Sequence, residues 1–192
     1  MPDYWRQLPH FHPEEAYLFV TWRLAGSTPA VTPEIIYKSP GHRFAAEDRE
    51  LAKASGPKWL ADTVVAAGLA ETLLDGQRQH LYNLIAWCIM PNHVHILILP
   101  HEDARRIMQF IKGRSAHEAN SILGRAGQPF WQHESYDHWV RNERELIRIA
   151  NYIEYNPVAA GLVQNPEDWR FSSPGKDKRK HVLPHCAANS RD

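Results

Sequence analysis

"MPNHVHILILP", Met90 to Pro100, ends in the Ile and Leu run of a strand buried on both faces, yet carries imidazoles at His93 and His95 near its start. Side chains alternate along a strand, so these two rings share one face and Val94 lies on the other. Two imidazoles at that spacing on a rigid strand make a two-point clamp for a divalent ion. Rings hydrogen-bonded at a strand end would carry the same pattern, so the pair alone leaves both readings open. A metal site requires a third donor, and chemistry requires a reactive group.

Working outward, "HLYNLIAWCIM" (His80 to Met90) reads as the preceding strand, joined by a Pro91-Asn92 turn. "AYLFVTWRL" (Ala16 to Leu24) has the aromatic and β-branched enrichment of a first strand. "WLADTVVAAGLAETLLDG" (Trp59 to Gly76) suits a helix ending at its glycine. A second helix is predicted over His101 to Arg125, with Gly113 as its candidate break. "PFWQHESYDHWVRN" (Pro129 to Asn142) reads as a fourth strand, and "ERELIRIANYIEYNP" (Glu143 to Pro157) as the last helix. From Glu34 to Lys58 the pattern gives only helix fragments and loop, ending in a breaker at Gly56 and Pro57.

This order predicts an α+β fold, a ferredoxin-like βαββαβ sandwich. Its antiparallel sheet would carry helices on one face, with one helix added at the C-terminal end. The domain is expected over residues 16–171, between an irregular arm at 1–15 and a polar, mobile tail at 172–192 that contains "GKDKRK".

Composition narrows the function classes. Lys and Arg number 22 against 22 Asp and Glu, so overall charge lends no support to a nucleic-acid partner, although a local groove can be basic on a neutral protein. The two cysteines, Cys88 and Cys186, are far apart and outside any paired motif, which suits a reducing compartment. No apolar run approaches the roughly 18 residues needed to cross a bilayer. A soluble, cytoplasmic protein without a membrane partner is predicted.

The last helix offers the missing groups. Asn142 is placed to cap it, with Glu145 completing a capping-box pattern. Leu146, Ile149, Ala150 and Ile153 form the apolar stripe, and Tyr152 and Asn156 stack beside it at i and i+4. Pro157 disfavours helix continuation at Asn156, which would put that pair on the last turn. Tyr152 would be a phenol nucleophile and Asn156 an amide oxygen donor. Taken alone, a half-buried aromatic and a helix-ending amide explain them as well. Tyr155 is a rival nucleophile, offset from Tyr152 by only about 60° around the helix.

The combination of "MPNHVHILILP" with "FWQHESYDHWVRNERELIRIANYIEYNPVAAGLV" resembles the HUH-type single-tyrosine transposases of insertion sequences, and most closely their REP-associated branch. The resemblance runs from about Ala16 to Phe171. It implies a catalytic tyrosine at Tyr152 and a divalent metal, Mg²⁺ or Mn²⁺, held by His93, His95 and Asn156. It further implies that single-stranded DNA carrying palindromic hairpins is cut through a 5′-phosphotyrosine and rejoined, in a protein that can be a homodimer.

Lys112, Arg114 and Arg141 are polar in apolar settings and are candidate phosphate contacts, with solvated surface charge as the ordinary alternative. Phe130, Trp131 and Trp139 are candidates for base stacking or for the core. Glu154 and His138 are the candidate bases for the phenol. Two other functions compete: a hairpin-binding regulator without catalysis, and a metal-dependent hydrolase using water.

Overall fold

A computed structural model describes residues 16–28 and 40–173. The expected arm at 1–15, Cys186 and the tail from residue 174 lie outside them. The elements are β1 (Leu18–Arg23), α1 (Pro40–Lys53), α2 (Thr63–Arg78), β2 (Tyr82–Ile89), β3 (His93–Pro100), α3 (Ala104–Ile122), β4 (Tyr136–Trp139) and α4 (Glu143–Ala159). The strands form one sheet in the order β2-β3-β1-β4, every neighbour antiparallel. That is the ferredoxin-like arrangement, with α1 inserted after β1 and α4 added at the end.

Alternation along the two central strands divides the interior. Leu18, Val20 and Trp22 of β1 and Val94, Ile96 and Ile98 of β3 face α2 and α3, against Val65, Leu69, Leu73, Ile107 and Ile111. Each such side chain, removed from water, contributes roughly 1.5–3 kcal/mol. Phe19, Cys88 and Leu97 point to the opposite face, where α4 lays Ile149 and Ile153 over them. In this way α4 is brought above the sheet face that carries His93 and His95.

Several boundaries differ from the sequence pattern. Asp62 caps α2 by accepting from the amides of Val64 at 2.8 Å and Val65 at 3.4 Å, so Trp59–Ala61 forms a separate 3-10 turn. Gly76 lies inside α2, not at its end. There the Tyr82 hydroxyl packs where a Cβ would be and donates to the Leu73 carbonyl at 2.8 Å. Helix α3 runs unbroken through Gly113, whose missing Cβ would meet nothing.

The fourth strand shrinks to Tyr136–Trp139, while Trp131 makes an isolated bridge to Leu24. Helix α4 continues past Pro157 to Ala159. A proline so near the end removes one donor without stopping the last turn. Ser172 and Ser173, at the start of the expected tail, are buried against β2, where the Ser173 amide donates to the Trp87 carbonyl at 2.9 Å. No helix among the described residues is long and apolar enough to cross a membrane.

Candidate active site

His93 and His95 are wholly buried on the α4 side of β3. Each ring is oriented from behind. The Asn92 amide nitrogen donates to the Leu51 carbonyl at 2.7 Å, which turns Asn92 Oδ1 toward His93 Nδ1, also at 2.7 Å. With only an acceptor in front of it, His93 Nδ1 must be the protonated nitrogen. The Thr21 hydroxyl stands at the same position for His95, 2.7 Å from its Nδ1, because Thr21 pairs with His95 across the sheet. Partners of this kind fix the ring and leave Nε2 forward, the arrangement found around metal-binding histidines.

Burial pushes the His93 ring down to about 3 and lowers His95 as well, so both rings are neutral rather than cationic. Both Nε2 atoms point at one oxygen. Asp48 Oδ1, supplied by α1, lies 3.5 Å from each. All three atoms are buried without a hydrogen-bond partner. The three atoms lie within 4.8 Å of one another, close enough that the group could hold a divalent cation. Imidazole with carboxylate oxygen suits Mn²⁺ and accepts Mg²⁺.

The second oxygen of Asp48 faces α4. The Tyr152 hydroxyl donates to Oδ2, as does the Asn156 amide nitrogen at 2.9 Å. Burial alone would raise the Asp48 carboxyl, but the neighbouring His95 and His93 and these two hydrogen bonds outweigh it and hold it below the usual range. Burial and the adjacent Asp48 charge push the Tyr152 phenol up, so it rests protonated. Its ring lies edge-on to both Phe19 and His95, with centroids 6.3 and 5.8 Å away.

Sequence reasoning therefore assembled four members of this cluster and missed the fifth. Tyr152, His93, His95 and Asn156 converge, while Tyr155 is 55% exposed on the outer side of α4. Asn156 enters through its amide nitrogen to Asp48, and the group facing both imidazoles is the Asp48 carboxylate. The one available signal was a carboxylate three residues before Leu51, on the same face of a helix. Among the described side chains of α1, Ala46, Asp48 and Leu51 are buried.

The two expected bases each have another partner. Glu154 accepts from the Ser173 hydroxyl at 3.1 Å, and His138 bonds Glu145 at 3.1 Å. Glu145 instead takes part in the cap predicted for α4: its amide donates to Asn142 at 2.9 Å and its carboxylate accepts from the Arg141 amide at 2.9 Å.

The candidate DNA contacts divide by location. Lys112, on α3 across the sheet, donates to the carbonyls of Gln132 at 2.7 Å and His133 at 3.0 Å. Burial lowers it to about 8. Arg114 pairs with Asp75 on α2. Arg141 is exposed at the start of α4. Phe130 is buried, and Trp131 and Trp139 pack partly buried against the same core.

Comparison with known proteins agrees with this geometry. A family model described as "Transposase IS200 like" matches residues 57–156, a stretch that contains His93, His95, Tyr152 and Asn156. The chain is 27% identical over 119 residues to the REP-associated tyrosine transposase of Escherichia coli K12, covering 60% of this chain and 68% of that protein. A Haemophilus influenzae protein provisionally given the same name is 28% identical over 122 residues, or 54% of this chain; only 65% of its own length is spanned. The fold is also that of a solved REP-associated tyrosine transposase bound to a REP hairpin, with a TM-score of 0.61 at 19% identity, over 93% of this chain and 88% of that one.

Proposed function

This chain belongs to the IS200-like transposase family, and from that premise we propose that it is a metal-dependent enzyme that nicks and rejoins single-stranded DNA, with Tyr152 as nucleophile. One observation carries the reading: a phenol on α4 and two forward-facing imidazoles on β3 meet at a single buried carboxylate. A structural tyrosine has no reason to share an anion with two rings whose Nε2 atoms lack partners.

In the proposed reaction the Tyr152 hydroxyl oxygen attacks a backbone phosphorus and the P–O3′ bond breaks, the proton lost by the phenol being balanced by the one O3′ takes up, directly or through water. The products are a 5′-phosphotyrosine and a free 3′-hydroxyl. Attack by that hydroxyl, or by one from another strand, reverses the step and conserves the phosphodiester energy. Phenol suits both directions, because its ordinary pKa of about 10 makes it a better leaving group than an alkyl alcohol.

His93 and His95 would hold the ion, Mg²⁺ or Mn²⁺, on the side of the rings that Asp48 covers in this structure, with the Asn156 amide beside it. The bound ion would supply Lewis-acid polarisation of a non-bridging phosphate oxygen. Thr21 and Asn92 keep both Nε2 atoms pointed forward, and Phe19 packs against the edge of the phenol ring. Both the phenol and the imidazoles come from the same chain here, which supports a site complete within one subunit; a homodimer is not required for it.

Hairpin-bearing single-stranded DNA is the proposed substrate, and the cytosol the proposed compartment. Of the three candidate phosphate contacts, Arg141 fits that role best. The charged groups of Lys112 and Arg114 are already engaged on the far side of the sheet.

The test is incubation with labelled hairpin oligonucleotide and Mn²⁺. The wild type should yield a denaturant-stable protein–DNA adduct. Tyr152→Phe should retain hairpin binding and lose the adduct by about 10³-fold or more. A released 5′-phosphate with no protein attached would instead identify a water-using hydrolase, and binding without any cleavage a hairpin-binding regulator.

A further inference from the structure

We propose that Asp48 is a built-in stand-in for the scissile phosphate, and that α1 is a gate that must lift before Tyr152 can react. The inference rests on the nicking reading above but concerns how access to that site is controlled.

A carboxylate and a phosphodiester both present two oxygens sharing one negative charge. The Asp48 oxygens meet the four groups proposed to handle the phosphate. Oδ1 faces the Nε2 atoms of His93 and His95 at 3.5 Å each, and Oδ2 accepts from Tyr152 and from Asn156. While Tyr152 donates its proton to that oxygen, its hydroxyl is held on an anion rather than aimed at phosphorus. No phosphate can share the position, since both rings are 0% exposed beneath Asp48.

Helix α1 would have to shift for that exchange. Among its described side chains only Ala46, Asp48 and Leu51 are buried. Its backbone is tied to the sheet by the Asn92 amide donating to the Leu51 carbonyl at 2.7 Å. The helix ends at Lys53, before the family match begins at residue 57, so the gate lies outside the stretch that supplies the four handling groups. A metal ion and a DNA phosphate arriving together would replace Asp48 on both sides: the ion faces the rings and the phosphate oxygen takes the α4 donors.

Two variants test the gate with two readouts. Asp48→Ala removes the stand-in, and Leu51→Ala loosens α1 with Asp48 intact. The first readout is adduct yield with hairpin DNA at saturating Mn²⁺. The second, independent of metal and activity, is nitration of Tyr152 by tetranitromethane, mapped by mass spectrometry with exposed Tyr155 as the internal standard.

Both variants should form adduct about 5-fold faster or more, the scale of a modest coupling between two sites. Both should also nitrate Tyr152 several-fold faster relative to Tyr155. Adduct formation that falls in Asp48→Ala at saturating ion would make Asp48 a working catalytic group and overturn the gate. Unchanged Tyr152 nitration in both variants would overturn it as well. If no variant forms adduct with any ion, the nicking reading fails by itself, while nitration still decides whether α1 covers Tyr152.

Discussion

The two faces of β3 are equally buried and chemically opposite. Val94, Ile96 and Ile98 pack in an apolar cluster with side chains of α2 and α3. One residue out of step, His93 and His95 are just as inaccessible, yet their Nε2 atoms have no partner and point together at Asp48. An unsatisfied buried polar atom costs about 1–3 kcal/mol. A sheet that only needed stability would carry aliphatic residues on both sides, so the polar face is held in place by an apolar face that does nothing else. The lesson is a division of labour within eight residues of one strand, His93–Pro100.

Substitutions on either face can break that comparison. The largest effect is expected on the apolar side. Ile96→Ala should destabilise the protein by about 2–5 kcal/mol, read from urea unfolding, because the cavity lies between a sheet and two helices that cannot collapse into it. Ion affinity of the folded fraction should be unchanged; a parallel loss of ion binding would mean the faces are not independent.

On the polar side, Thr21→Val keeps the shape and removes the partner of His95 Nδ1. Mn²⁺ affinity by calorimetry should fall about 10–100-fold, as for other partners behind a ligating ring. Equal affinity in this variant would show that the hydroxyl does not set the ring. The smallest change is expected for His93→Leu, which deletes an orphaned atom from a buried site. Stability should fall by only about 1 kcal/mol, because an orphaned Nε2 is removed while the buried Asn92 Oδ1 loses the Nδ1–H that faced it. A loss comparable to that of Ile96→Ala would assign His93 to the core.

Much of this was legible in the residues themselves. Strand alternation placed both imidazoles on one face, and helical spacing placed Tyr152 beside Asn156. The boundary of β3 at His93–Pro100 followed from a proline on each side of the run. Boundaries failed where a tertiary contact outweighed local preference. Gly76 stays helical because the Tyr82 ring fills its missing side chain, and α4 outlasts Pro157 because Ile149 and Ile153 hold it to the sheet. Lys112 looked like a phosphate contact until the loop carbonyls of Gln132 and His133 folded against it.

Periodicity by itself determined which side chains share a face, since that depends only on the repeat of the element that carries them. Which faces meet was decided by the packed sheet. The carboxylate of Asp48 lies 45 residues before His93 in a segment without a clear pattern, and only the crossing of α1 over β3 brings it to the imidazoles. A site assembled from three separate elements depends on distances that no local repeat encodes.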